Sequence, residues 1–451
     1  MVARIETAVV SLWGQQVGAV SWLDSPGYGV FEFDPAFLKR GLDISPLHMG
    51  LEAARSGDGI FSFPGLSRET YLGLPGLLAD ALPDKYGNSV IDAWLARQGR
   101  DPAGFSPIER LCYTGRRGMG ALEFSPPVNR PLENAVPVQV SELVALAQDI
   151  MAQRQRLSVE LGDSDRQNAE AIMDILRVGT SAGGARPKAV IAMDGQGNVL
   201  SGQAEVPAGF DFWLLKFDGV EDLELGEPKG FGRIEFAYYL MARAAGIEMS
   251  ESRLLEENGR AHFLTRRFDR LRHPVDGQES PPAFHVKQHM QTLCGIAHFD
   301  FNQAGAYSYE QLFAVMRRLR LSKAEAIQQF RRMVFNVIAR NQDDHTKNVA
   351  FLMDGEGRWR LSPAFDVIYS HNPAGRWTSQ HQMSINGKRD RFTLQDLVTV
   401  GESISLKRPR VVIEEIADVV SRWPEFARRA DVPERDVVEI GRHHRLGIVA
   451  R

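Results

Sequence analysis

The densest polar stretch in an otherwise apolar neighbourhood is Asn341-Gln342-Asp343-Asp344-His345-Thr346-Lys347-Asn348. Asp343 and Asn348 stand in an Asp-x-x-x-x-Asn relation, the spacing of a catalytic loop for phosphoryl transfer. The chemistry explains the residue types. A hydroxyl is a weak nucleophile and phosphates are highly charged, so such a site needs one carboxylate as general base and hard oxygens for Mg²⁺. A second aspartate, Asp366, follows in Arg360-Leu361-Ser362-Pro363-Ala364-Phe365-Asp366-Val367. It has the place of the metal aspartate of a kinase Asp-Phe-Gly element, although the glycine is absent. Taken alone, the Asp-x-x-x-x-Asn spacing is common, and an acidic loop is usually a solvated cap. A second aspartate after a short hairpin and the elements upstream reverse that balance.

Two upstream segments suit a phosphate ligand. Lys216 lies in Phe212-Trp213-Leu214-Leu215-Lys216-Phe217. A lysine in such apolar company either snorkels to the surface or has a buried anionic partner. ATP phosphates would be one such partner and Glu235 another, though a mid-helix glutamate is more often simply exposed. The stretch Gly179-Thr180-Ser181-Ala182-Gly183-Gly184-Ala185-Arg186-Pro187-Lys188 has paired glycines that let backbone amides approach phosphate oxygens. Its spacing is not that of a Walker A loop, and a tight turn before a strand is an equal reading.

The elements that must position these residues can be read around them. Ser322 and Glu325 form a capping-box pattern. Ile327, Phe330, Met333, Val334 and Ile338 then recur at helical spacing to a helix end near Arg340. Strands at 349–353 and 359–361, turned at Asp354-Gly355-Glu356-Gly357, form a hairpin that would return Asp366 beside Asn348. Strands at 189–193, 212–217 and 261–267, with a helix at 234–245 stopped by Gly246, give a small α+β lobe. Helical periodicity also marks 141–157 and 168–178. Near the start, 8–13 and 16–22 make a hairpin around Gly14, and 72–82 and 87–98 look helical about the turn Pro83-Asp84-Lys85-Tyr86-Gly87. The prolines of Ser125-Pro126-Pro127-Val128-Asn129-Arg130-Pro131 mark a linker. The expected division is therefore a β-rich region at 1–125, a linker at 126–140, an α+β region at 141–305 and a helical lobe at 306–451.

At 451 residues the chain has material for two or three domains. Its net charge of −4 with dispersed basic residues gives no footprint for nucleic acid; Arg110, Arg116 and Arg117 read as a solvated loop. Two cysteines, Cys112 and Cys294, form no metal-ligand spacing and suit a reducing cytoplasm. No apolar run approaches a membrane span and no secretory signal opens the chain, so a cytoplasmic address is expected. Other residues carry less. His285 and His289 could share a helix face as metal ligands but lack an acidic third ligand. His443 and His444 read as an exposed tail, and Trp359 and Trp377 as packing around the hairpin.

Taken in order, these blocks resemble the HipA family, kinases that act as toxins of bacterial type II toxin–antitoxin modules. The glycine-rich segment ending in Pro187-Lys188, the Lys216 strand, Arg266-Arg267-Phe268-Asp269-Arg270, the Asp343 to Asn348 block and the segment from Ser362 to Val367 all match in sequence. Leu82-Pro83-Asp84 and Gly118-Met119-Gly120-Ala121-Leu122 look like that family's N-terminal domain. The resemblance implies an α+β, protein-kinase-like two-lobed core with an added β-rich N-terminal subdomain and a mainly helical C-terminal lobe. It implies Asp343 as catalytic base, and Asn348 with Asp366 as Mg²⁺ ligands. Gly183, Gly184, Ala185, Arg186, Pro187, Lys188 and Lys216 would contact ATP phosphates, and Arg266, Arg267 and Phe268 the adenine. His345, Thr346, Lys347 and Phe365 would complete the nucleotide site. Ser181, adjoined by Thr180, falls where the family carries an autophosphorylated serine; a phosphate there would add about −2 charge where ATP phosphates bind. The implied partners are a helix-turn-helix DNA-binding antitoxin, operator DNA through that complex alone, and a protein substrate, an aminoacyl-tRNA ligase such as that for glutamate. Two other functions compete, a small-molecule phosphotransferase and a catalytically idle co-repressor module.

Overall fold

The structure, a computed structural model, describes residues 4–97, 99–128, 135, 137–145, 147–148, 187–202, 205–220, 230–273 and 284–449. The expected helix at 168–178 and the glycine-rich residues from Gly179 to Arg186, including Thr180, Ser181, Gly183, Gly184 and Ala185, lie outside these.

The chain begins with an antiparallel sheet. Strand β1 (Thr7–Leu12) buries Ala8, Val10 and Leu12 and turns their neighbours outward, the period of a half-buried strand. It pairs with β2 (Gln15–Leu23) across a two-residue turn. Both turn residues have positive φ, Trp13 at 51° and Gly14 at 75°, the geometry that matches strand twist in a tight hairpin. With β3 (Tyr28–Phe33), β4 (Ile60–Phe61) and β5 (Leu122–Ser125) the order is β4-β3-β2-β1-β5. Short helices α1 (Pro35–Leu38), α2 (Leu51–Ser56), α3 (Arg68–Tyr71) and α4 (Gly76–Ala79) precede α5 (Lys85–Arg97) and α6 (Pro107–Thr114). The single helix expected over 72–82 is therefore broken. Leu72 takes a left-handed conformation that ends α3, and Pro75 starts α4 as its cap.

A second antiparallel sheet comprises β6 (Lys188–Met193), β7 (Val199–Ser201), β8 (Asp211–Lys216), β9 (Ser252–Glu257) and β10 (Arg260–Arg266), in the order β7-β6-β8-β10-β9. Every residue of β6 is buried, because both faces are covered. On one side lie Tyr86, Val90, Ile91, Trp94 and Leu95 of α5, in one core with Ala189, Ile191 and Trp213. Helix α7 (Phe231–Ala244) packs on β9 and β10. It comes so close that a Cβ on Gly232 would overlap the Ala261 carbonyl, which is why that position has no side chain. Gly246, at φ 73°, stops the helix where expected.

β11 (Arg270–His273) pairs with β12 (Phe284–Lys287). β13 (His289–Thr292) then joins β14 (Ala350–Met353) and β15 (Trp359–Leu361) in a three-stranded sheet. The remainder is helical: α8 (Leu293–Ala297), α9 (Tyr309–Arg318), α10 (Lys323–Ile338), α11 (Leu394–Ser403), α12 (Pro409–Ser421), α13 (Trp423–Arg429) and α14 (Glu434–His443). Phe330, Met333, Val334, Val337 and Ile338 of α10 stand in the largest core, with Ile413 and Ile416 of α12 and Trp423 of α13. Among the described residues, no helix is long and apolar enough to cross a membrane.

Four expectations need correction. His285 and His289 lie on successive strands, not a helix; His289 is buried with its Nε2 2.9 Å from the Ile44 carbonyl. His444 is buried with its Nε2 3.1 Å from the Tyr238 hydroxyl, and His443 meets the Tyr369 hydroxyl, so neither belongs to an exposed tail. Arg117 is buried and donates to the Tyr113 carbonyl, while Arg110 holds Asn88 and Asp92. Trp359 packs as expected, but Trp377 is 39% exposed and does not.

Candidate active site

The site forms where β8, α7 and the loops around β14 and β15 meet. Lys216 ends β8, and its Nζ donates to Glu235 Oε1 and to Asp366 Oδ1, each at 2.6 Å. Glu235 is buried on α7; the mid-helix glutamate is thus an ion-pair partner rather than a solvated one. Burial by itself pushes the Lys216 ammonium down, but Asp366 and then Glu235 outweigh it and hold its pKa above the ordinary value. Burial likewise pushes Asp366 up. Lys216 first and Lys188 next overcome that, and keep its carboxyl well below the usual carboxylate range.

Asp366 is delivered by the hairpin. β14 and β15 pair antiparallel from Phe351↔Leu361 to Met353↔Trp359, as the turn at 354–357 requires. The Ser362 amide donates to the Ala350 carbonyl, extending the pairing toward the loop. Asp366 itself has φ 54°, a left-handed backbone uncommon outside glycine and found where surrounding structure over-determines it. Its neighbour Phe365 packs on Phe268 with ring centroids 5.5 Å apart.

The catalytic-loop block follows α10. The Asn348 side-chain amide donates to the Asp343 carbonyl at 2.8 Å, which turns its amide oxygen the other way. Thr346, Lys347 and Asn348 form one 3₁₀ turn. Asp343 keeps its side chain 42% exposed, with His345 Nε2 3.9 Å from its Oδ1. Thr346 is buried and donates to the Phe299 carbonyl, and the Lys347 ammonium lies 4.7 Å from the centre of the Phe301 ring. What fixes the loop is a residue the spacing argument passed over. Asp344, fully inside, accepts from the Tyr309 hydroxyl at 2.8 Å, from the Gln382 amide at 2.8 Å, and meets His381 Nδ1 at 2.8 Å. Burial raises its pKa, but His381 and these hydrogen bonds prevail and lower it. One aspartate of the pair anchors the loop and the other is presented.

The remaining expected residues are placed less uniformly. Lys188 is buried on β6 at the register position opposite Lys216. Its Nζ lies 3.7 Å from Asp84 Oδ2, a carboxylate from the N-terminal region. Pro187 precedes it and accepts from the Phe217 amide. Arg266 forms ion pairs with Asp211 at 2.8 Å and Glu251 at 3.8 Å. The Arg267 guanidinium is buried against Asp269 and the Gly118 carbonyl. Both arginine side chains are thus committed within the protein, while Phe268 packs on Phe365, the neighbour of Asp366.

A lysine bridging a helix glutamate and a hairpin aspartate, between an antiparallel sheet and a helical lobe, defines a two-lobed α+β protein with an added N-terminal sheet. The family pattern for the HipA-like C-terminal domain matches residues 180–424, more than half of the chain, and that for the HipA N-terminal domain matches residues 8–125. The chain belongs to the HipA family. Its fold is similar to that of HipA from Shewanella oneidensis MR-1, solved with HipB and its operator DNA. That match has a TM-score of 0.64 at 16% identity, covering 98% of this chain and 96% of that one. A Sinorhizobium fredii protein described as “Putative kinase Y4mE” is 24% identical over 129 residues, 28% of this chain and 30% of that protein's length.

Proposed function

We propose that this protein is an ATP- and Mg²⁺-dependent serine/threonine protein kinase serving as the toxin of a type II toxin–antitoxin module. The observation that carries the reading is Lys216 joined to both Glu235 and Asp366 at 2.6 Å. In a kinase the lysine–glutamate pair aims the lysine at ATP phosphates and the aspartate holds the metal. The donor set suits Mg²⁺. Among the described residues no cluster of three His, Cys, Asp or Glu side chains could hold a metal by itself, and Mg²⁺ at phosphates commonly uses one or two protein oxygens, waters and the phosphates. The Asp366 carboxylate and the Asn348 amide oxygen are two such hard donors. Bound there, Mg²⁺ would neutralise charge on the phosphates. Asp343, presented to solvent, would orient the attacking hydroxyl and take its proton, while Asp366 and Asn348 would hold Mg²⁺ and Lys216 would meet the phosphates.

Family membership and the Shewanella protein solved with HipB and operator DNA support a HipB-like antitoxin partner, with DNA contacted through that complex. An aminoacyl-tRNA ligase as substrate, and autophosphorylation at Ser181 or Thr180, complete the proposal. The test is incubation with Mg²⁺ and labelled ATP, comparing wild type with Asp343→Asn. Wild type is expected to incorporate phosphate at Ser181 or Thr180, and the variant to lose about 10²-fold or more of the rate. Equal labelling of both would remove Asp343 from the mechanism. Unaltered growth and tRNA charging on overexpression would remove the toxin role.

A further inference from the structure

A buried carboxylate from the N-terminal region, Asp84, reaches the Lys188 ammonium. Asp84 follows α4, and two anchors fix its segment. Upstream, Asp80 accepts from the Thr292 amide at 2.5 Å and the Thr292 hydroxyl at 2.7 Å, at the start of α8. Downstream, α5 sinks Tyr86, Val90 and Ile91 into the core under β6 and β8. Asp84 Oδ1 accepts from the Gly87 amide at 2.6 Å. Its Oδ2 is buried, accepts no hydrogen bond among the described residues, and faces Lys188 Nζ at 3.7 Å. Both side chains are almost wholly enclosed, 3% exposed for Lys188 and 5% for Asp84.

Burial works against both charges, and each draws the other back toward its ionised form. Burial pushes the Asp84 carboxyl up to about 6 even with Lys188 drawing it down. Burial also lowers Lys188, against the pull of Asp84. A buried ammonium that loses a carboxylate neighbour is held less firmly in place and in its charged form. Lys188 stands directly across from Lys216 in the β6–β8 register, so where its ammonium is held decides whether two lysines or one reach toward the phosphates. We propose that Asp84 is a positioning residue of the nucleotide site, a carboxylate from the N-terminal region that holds the Lys188 ammonium where ATP phosphates bind. This inference rests on the kinase reading above. It makes the N-terminal sheet region part of the nucleotide site instead of an appendage to it.

The experiment uses the full chain with Mg²⁺ and ATP. KM and kcat are measured for wild type, Asp84→Asn, Asp84→Glu, Lys188→Met and the Asp84→Asn/Lys188→Met double variant, with thermal melting alongside. Asp84→Asn is expected to raise KM for ATP about tenfold with kcat within about threefold, since it removes binding made equally in ground and transition states. Asp84→Glu recovers part of that loss. In the Lys188→Met background, Asp84→Asn adds less than about twofold, because coupled residues are not additive. An Asp84→Asn KM within about twofold of wild type, or full additivity in the double variant, would overturn the inference while leaving the kinase reading intact. Loss of melting temperature with unchanged KM would show a domain latch only and overturn it too. If Asp84→Asn does not fold, Lys188→Met decides: a KM for ATP within about twofold of wild type overturns the inference, and a raised one supports it. Absence of ATP turnover by wild type would sink the kinase reading, and this inference with it.

Discussion

Lys216 sits between two carboxylates that would repel each other without it. Glu235 and Asp366 both reach the same ammonium at 2.6 Å, and the lysine side chain is 13% exposed. Removing one partner from such an enclosed group leaves uncompensated charge, which costs more than the pair contributes. Lys216→Met is therefore expected to destabilise the nucleotide-free protein by about 3–5 kcal/mol, measured by urea unfolding. Added Mg²⁺ is expected to recover part of that stability by engaging Asp366, while ATP turnover stays lost; equal stability of variant and wild type would contradict the arrangement. A lysine on an apolar strand demands an anion, so the sequence pointed to Lys216 and named Glu235 among its partners. Asp344 and Asp84 left no such local mark. Each acts through contacts made far along the chain, Asp344 with Gln382 and Asp84 with Lys188.

At the scale of elements, the piece that aims Asp366 is tied to the helix that aims Asp343. Glu325 closes the capping box of α10, its Oε2 accepting from the Ser322 amide at 2.7 Å. Its other oxygen, Oε1, accepts from the Leu361 amide of β15 at 2.8 Å. One side chain thus caps the helix before the catalytic loop and pins the hairpin that carries Asp366. Ser322→Ala removes a cap alone and should cost about 1 kcal/mol. Glu325→Ala removes the cap partner and leaves a strand amide unpaired, and should cost about 2–3 kcal/mol; urea denaturation of both variants checks the order, and equal losses would deny the second role. The cap and the hairpin were legible because both are written within a few consecutive residues. The broken helix over 72–82 was not, since its apolar residues keep helical spacing through Leu72 and Pro75, and the backbone turns there to serve packing against the rest of the chain. Nor was β13, whose pairing partner β14 lies some sixty residues further on, a distance over which periodicity carries no information.

For the whole molecule, the N-terminal region is docked through groups that tolerate no added volume and no added proton. A Cβ on Gly76 of α4 would collide with the Gly295 carbonyl of α8, so the two helices meet backbone to backbone. Beside them His48 and His298 stack with ring centroids 4.0 Å apart. The Gly76 amide donates to His298 Nε2 at 3.2 Å, which requires that nitrogen to be unprotonated. Across the same junction, His289 Nε2 meets the Ile44 carbonyl, and its Nδ1 is buried with no partner among the described residues. Burial lowers His289 to about 4; burial and then the adjacent His48 lower His298 to about 3. The unfolded chain titrates histidine near 6.5, so it binds protons that the folded chain refuses. Stability from these two groups is complete above about pH 6.5 and falls as the pH drops toward 4, by about 1 kcal/mol per pH unit for each. Melting curves from pH 7 to pH 4 should show that loss, and a His298→Gln variant, which can accept from the Gly76 amide without titrating, should reduce its slope by about 1 kcal/mol per pH unit, leaving the His289 share. A slope unchanged by His298→Gln would remove His298 from the acid sensitivity of this junction.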